Sequence, residues 1–142
     1  MKFTLGAFAI ILNDKQEVLL CHRRDYDLWN LPGGGVENEE SPWEAVIREV
    51  KEEVGLDVKI VSLTGVYSKP EKNEVVFSFL CEVISGKPTL TDEADQIEYF
   101  AMDQWPSNVS QKQKERVKDF LDSNFEDLPL FKTQIGPSSL PH

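Results

Sequence analysis

The chain has 142 residues, 40% of them hydrophobic, and a formal net charge of −10. That length suits one domain with a real core, and so acidic a surface argues against a module that binds duplex nucleic acid or anionic lipid directly. No apolar stretch approaches the ~20 residues of a membrane span, and the N-terminal MKFTLGAFAIILNDK reads as a strand and not as a signal peptide. Cys21 and Cys81 sit in apolar runs without metal spacing or a disulfide framework, which points to the cytoplasm.

In chain order, Leu5 to Leu12 and Glu17 to Arg23 are apolar and β-compatible. Joined by Asn13-Asp14-Lys15-Gln16, they are predicted to form a hairpin. Tyr26 to Val36, interrupted by Pro32 and three glycines, reads as a loop. Ser41, Pro42 and Glu44 write a helix start with a capping box, and Gly55 writes its stop. At about 100° per residue, Trp43, Val46, Ile47, Val50 and Val54 make its expected buried stripe, with Glu49, Glu52 and Glu53 on the adjoining arc. Lys59 to Tyr67 and Glu74 to Ile84 follow as strands, the latter placing Val75, Phe77, Phe79, Cys81 and Val83 on one face. Gln96 to Met102 is a short strand. Ser110 caps a last helix to Ser123 that presents Val117, Phe120 and Leu121 on one side. The expected organisation is one domain over 1–125 and a proline-containing tail over 126–142, poorly ordered or draped on the surface.

The charge is concentrated. Between Gly34 and Leu56 seven acids face two bases, so half of the net charge lies in one short segment. Glu49, Glu52 and Glu53 crowd the last turns of the helix, where the macrodipole is negative and each carboxylate costs on the order of 0.3–1 kcal/mol. A divalent cation among them would keep all three ionised, and oxygen-only ligands suit Mg²⁺ or Mn²⁺ better than zinc.

The spacing is more specific than the charge. Gly34, Glu40, Arg48-Glu49, Val50, Glu52-Glu53, Gly55 and Leu56 stand at every fixed position of the Nudix box. Upstream, Leu31-Pro32-Gly33-Gly34-Gly35-Val36-Glu37 is similar to the loop that leads into it. The chain therefore resembles the Nudix hydrolases over roughly residues 3 to 123. The resemblance implies an α/β fold, the α/β/α sandwich with a mixed sheet between helices. It implies Mg²⁺, with Mn²⁺ as substitute, on Glu49, Glu52 and Glu53 and on a backbone carbonyl at Gly33 or Gly34, with Glu52 and Glu53 in the catalytic role. Arg48 and Glu40 look like the pair that pins the loop to the helix. The base lies either in the box or in a later loop, where Asp92, Glu93 and Asp95 are candidates and Glu93 is preferred.

The implied reaction is hydrolysis of a phosphoanhydride in a nucleoside diphosphate linked to another moiety. ADP-ribose or another nucleotide sugar stands slightly ahead of a nucleoside triphosphate; the alternatives are a non-catalytic nucleotide sensor and an RNA 5′-pyrophosphohydrolase. The glutamate set is intact, which speaks against the sensor. The acidic composition offers no basic track for RNA. Arg23 and Arg24 are candidates for phosphate and Trp29 and Tyr67 for base stacking. Pro70 resembles a feature of many ADP-ribose hydrolases. His22 reads as an ordinary strand side chain. The expected partner is a small-molecule nucleotide, and similar proteins are often homodimers.

Overall fold

The computed structural model describes residues 2–136. Its strands are β1 (Thr4–Ile11), β2 (Val18–Arg23), β3 (Trp29–Asn30), β4 (Gly33–Gly35), β5 (Asp57–Lys69), β6 (Glu74–Ser85), β7 (Ala94–Phe100) and β8 (Leu130–Thr133). The α-helices are α1 (Pro42–Val54) and α2 (Gln111–Leu121). The strands form a five-stranded mixed sheet in the order β4-β1-β6-β5-β8 and a three-stranded antiparallel sheet in the order β3-β2-β7.

One apolar cluster joins Ala45, Val46, Val50 and Val54 of α1 to Ala7, Ala9 and Ile11 of β1 and to Phe79 and Cys81 of β6. A second joins Val117 of α2 to Ile10, Val18, Leu20, Trp29 and Leu31. Successive β1 side chains thus feed cores on opposite faces, as period-2 alternation requires of a strand covered on both sides. The result is an α/β/α sandwich with α1 and α2 on either side, as the resemblance implies.

The expected hairpin is corrected. Its turn exists, since Asn13 donates to the carbonyl of Glu17 at 3.1 Å and the Asn13 side chain accepts from the N–H groups of Lys15 and Glu17. Beyond a single bridge between Leu12 and Val18, however, the two strands part into different sheets. β1 pairs in parallel with β6 from Thr4 to Ile11, which sets it inside the five-stranded sheet between β4 and β6, where the α1 cluster covers one of its faces and the α2 cluster the other.

Three further differences matter. Tyr26 to Val36 is not a plain loop, because β3 pairs with β2 and the glycines of β4 pair with Gly6, Ala7 and Phe8 of β1. In α1 the capping box and the left-handed Gly55 stop are present, but Trp43 and Ile47 are 58% and 39% exposed. The helix is rolled so that small Ala45 packs inward instead, which carries Glu49 and Glu53 toward the protein. Finally, the tail contributes β8, which pairs in parallel with Gly65 to Ser68 of β5 as an edge strand. Residues 137–142 of the expected tail lie outside the described residues.

Candidate active site

The roll of α1 brings its carboxylates against β4. Gly33 donates its N–H to Glu53 at 2.7 Å. Gly33 has φ +152°, and a Cβ there would lie 2.4 Å from the Ala7 carbonyl oxygen, so only glycine fits without strain. Next to it, a Cβ on Gly34 would lie 2.9 Å from the Glu49 carboxyl carbon. The glycines are therefore room for carboxylates as much as freedom for the chain.

Glu49, Glu53 and Glu93 each offer an oxygen within 4.8 Å of the others. Glu93 arrives from the turn before β7, far away in sequence. Burial pushes the Glu53 carboxyl up to about 8 despite the Gly33 N–H, and Glu49, Glu93 and Glu52 add repulsion. Burial also raises Glu49, against the opposing charge of Arg48. Like charges held this close suit a divalent cation between them. The donor set is all oxygen, and the space is kept by glycine, so the residues present fit such an ion.

Arg48 organises the rim. Its Nε and Nη2 donate to the two oxygens of Glu40 at 2.7 and 2.9 Å, a bidentate pair, and Nη2 also reaches the Gly35 carbonyl at 3.3 Å. Its Nη1 donates to Glu49 at 3.1 Å and to Glu52 at 3.0 Å. Glu40 is held down at about 2, chiefly by Arg48. Glu52, exposed, is thereby drawn to Arg48 and stands outside the three-carboxylate group. The Gly33 N–H holds Glu53 in place beside β4.

A cavity of about 470 Å³ opens beside the cluster. Arg23, Arg24, Gly33, Gly34, Glu53 and Glu93 line it, as do Phe8, Asn30 and Gln113. Both arginines are already engaged, Arg23 with Asp25 through two bonds of 2.8 Å and Arg24 with the Thr91 carbonyl at 2.7 Å. The expected stacking residues are elsewhere. Trp29 is 7% exposed and packs edge-on against Phe100 and His22, because β3 turns it into the core. Tyr67 is 1% exposed, with its hydroxyl bonded to Asp119 at 3.1 Å, and neither ring lines the cavity. Pro70 opens an exposed 3-10 turn and is likewise not part of its lining.

Sequence reasoning missed Thr91. Its hydroxyl donates to the Glu53 carbonyl at 2.8 Å and accepts from the N–H groups of Glu93 and Ala94 at 3.2 and 3.3 Å. The Arg24 N–H donates to the Glu93 carbonyl at 3.3 Å. The Glu93 turn is thus fastened to both α1 and β2. A threonine two residues before an acid is the local signal, an ordinary turn pattern. His22 also does more than its strand position announced, since its two ring nitrogens stand 2.8 Å from Asp27 and Asp95.

The arrangement of capped helix, glycine strand and inward carboxylates belongs to a recognised class of enzymes. The NUDIX domain model matches residues 2–121, and the chain belongs to the Nudix family of pyrophosphohydrolases. It is 33% identical over 119 residues to a Bacillus subtilis protein named for 8-oxo-dGTP diphosphatase activity, covering 83% of this chain and 80% of that one. It is 35% identical over 118 residues to the ADP-ribose pyrophosphatase of Methanocaldococcus jannaschii, covering 78% and 69%. In fold it is similar to the crystal structure of an ADP-ribose pyrophosphatase from Streptococcus suis, with a TM-score of 0.79 at 24% identity, over 94% of this chain and 100% of that one. No described helix is long and apolar enough to cross a membrane.

Proposed function

We propose that the chain hydrolyses a phosphoanhydride bond in a nucleoside diphosphate linked to another group, with ADP-ribose or another nucleotide sugar preferred. The observation that carries this reading is the set of three carboxylates, Glu49, Glu53 and Glu93, beside the Gly33–Gly34 strand, two of which, Glu53 and Glu93, line a cavity that also holds two arginines. Glu49 and Glu53 would hold Mg²⁺, with Glu52 joining them if it leaves Arg48. A bound Mg²⁺ would supply charge neutralisation and polarise the phosphoryl oxygens.

The chain's own residues divide the remaining work. Glu93 comes from a turn and not from the helix, and with Glu49 and Glu53 holding the ion it is the carboxylate left free to orient an attacking water. Gly33 and Gly34 keep side chains out of the phosphate path. Arg23 is the phosphate contact of choice, because its partner Asp25 is largely exposed and can yield it to a stronger anion. Arg24 is occupied in holding the Glu93 turn.

The Bacillus subtilis relative supports a nucleoside triphosphate as a second reading. A panel of nucleotide sugars, (deoxy)nucleoside triphosphates, dinucleoside polyphosphates and 5′-triphosphorylated RNA, scored by product identity with Mg²⁺ and with EDTA, separates the two. ADP-ribose cleaved to AMP and ribose 5-phosphate supports the first, and a triphosphate cleaved to monophosphate and pyrophosphate supports the second. Absence of any metal-dependent product would remove both.

A further inference from the structure

Phe8 lines the cavity from β1, with its ring beside Gly33. Behind it lies an unusual arrangement. The guanidinium carbon of Arg116 sits 5.6 Å from the centroid of the Phe8 ring and also 5.6 Å from that of Tyr67. Arg116 is only 3% exposed, and it makes no salt bridge among the described residues. Burial lowers its pKa to about 10. A cation taken out of water with no carboxylate in ion-pair contact, only the more distant charges of Glu74 and Glu115, is costly, and an apolar side chain of similar volume would pack here more cheaply. What the guanidinium adds is a fixed attraction to both aromatic faces.

The hold on Arg116 comes from beyond the residues that the family model matches, 2–121. Gln134, 4% exposed, accepts from Arg116 Nε at 3.0 Å. Its amide nitrogen donates to the Lys112 carbonyl at 3.1 Å and to Glu115 at 3.2 Å. Nearby, Lys132 of β8 donates to Asp119, the partner of the Tyr67 hydroxyl. The C-terminal segment therefore grips α2 on the side that faces Phe8. Gln113 of the same helix also lines the cavity and accepts from the Leu31 N–H at 2.7 Å.

We propose that Phe8 is the stacking surface for the planar base of a nucleotide ligand, and that Gln134 positions this surface through Arg116. The inference rests on the pyrophosphohydrolase reading and deepens it. The Phe8 ring has the cation over it, packs in part against the second apolar cluster and lines the cavity with the surface left exposed, next to the carboxylates that would handle the phosphates. A nucleoside diphosphate spans such a pair of subsites, with its base at one and its phosphates at the other. Gln134 and Arg116 touch no ligand and act only by holding Phe8.

The test is calorimetric titration of the full chain, in EDTA, with AMP, GMP, CMP and UMP and with ribose 5-phosphate as the base-free probe. The wild type binds at least one nucleotide about tenfold or more tighter than ribose 5-phosphate, a difference in the range that base stacking supplies. Phe8→Leu removes that preference and leaves ribose 5-phosphate binding unchanged, while Phe8→Tyr keeps it. Gln134→Met narrows it by about threefold with the melting transition intact, and Arg116→Lys serves where Gln134→Met does not fold. A Phe8→Leu protein with the wild-type preference, or a wild type without one, overturns the proposal. A folded Gln134→Met or Arg116→Lys protein with undiminished preference overturns the positioning role. Metal-dependent turnover is read separately: a Phe8→Leu enzyme that still prefers base-bearing substrates sinks this inference alone, whereas a wild type without turnover sinks the reading beneath it.

Discussion

The hydroxyl of Thr91 donates to the main-chain carbonyl of Glu53 at 2.8 Å, tying the turn that carries Glu93 to the last turn of α1. The bond serves two ends. It satisfies a carbonyl near a helix C-terminus, where intrahelical partners run out, and it sets the separation of two carboxylates that must converge.

Thr91→Val keeps the shape and removes both roles of the hydroxyl. Loss of a hydrogen bond of this kind costs about 0.5–1.5 kcal/mol of stability. The larger effect falls on turnover, because a displacement of order 1 Å at a reacting group can cost up to about a hundredfold. We expect kcat to fall by about ten- to a hundredfold with KM little changed, and Thr91→Ser to restore it. Equal loss in the serine variant would show that the methyl group, not the hydroxyl, matters.

Glu53→Gln removes one charge from the cluster and leaves the Gly33 N–H an acceptor. Turnover with Mg²⁺ is expected to fall by about 10² or more, as for removal of a principal electrostatic group. Thermal stability should hold or rise, since repulsion among Glu49, Glu53 and Glu93 is relieved. Full activity in this variant would take the metal-site assignment with it.

Local signals were legible and distant ones were not. The start and stop of α1 are written in neighbours, Ser41 with Glu44 and Gly55 with its own left-handed backbone, so they read correctly from the chain. Its roll did not. The stripe of largest apolar residues points Trp43 and Ile47 inward, but packing against β1 selects Ala45 and draws Glu53 to Gly33. The bidentate Arg48–Glu40 bond could be anticipated because both residues fall in one spaced motif. The partition of β1 and β2 into separate sheets could not, because β1 takes its partner from β6, far along the chain, and no local signal near β1 names it. Trp29 and Tyr67 show the same limit, since an aromatic residue on a strand can face a cavity or a core and only the fold decides.

Gly33 and Gly34 should respond to alanine in opposite ways. A Cβ on Gly33 meets backbone, the Ala7 oxygen at 2.4 Å, at a φ that disfavours side chains. Gly33→Ala is therefore expected to cost stability, about 1–3 kcal/mol from the backbone conformation alone. A Cβ on Gly34 meets the end of the Glu49 side chain, which can swing away. Gly34→Ala should melt close to wild type yet lose Mg²⁺ affinity, read by titration with Mn²⁺. A stable Gly34→Ala protein with unchanged metal affinity would remove Glu49 from the proposed ligands.

The Arg48–Glu40 pair predicts an acid-side transition. Arg48 holds Glu40 at about 2 against an ordinary 4.5, so its stabilisation is present above about 4.5 and is lost as pH falls toward 2. Melting curves of wild type and Glu40→Gln should differ most near neutrality and converge at pH 2. A difference that persists there would assign the effect to packing.

His22 predicts the opposite sign on the alkaline side. Its two ring nitrogens each face a carboxylate, Asp27 and Asp95, an arrangement that calls for both N–H groups and so for the protonated ring. Its pKa is raised above 6.5, chiefly by the bond to Asp27, with burial opposing and Asp95 adding to the rise. A group raised in the folded state stabilises fully below its unfolded value of 6.5 and ceases to do so as pH climbs through the folded value. Asp95 follows Glu93 by two residues, and Asp27 also accepts from Asn108 at 2.9 Å, so the imidazolium joins three segments around the cavity. The stability advantage of wild type over His22→Gln should therefore be largest at pH 6 and shrink as pH is raised to 9, measured by thermal melting in matched buffers. An advantage that is constant across that range would show that His22 acts through its edge contact with Trp29 and not through its charge.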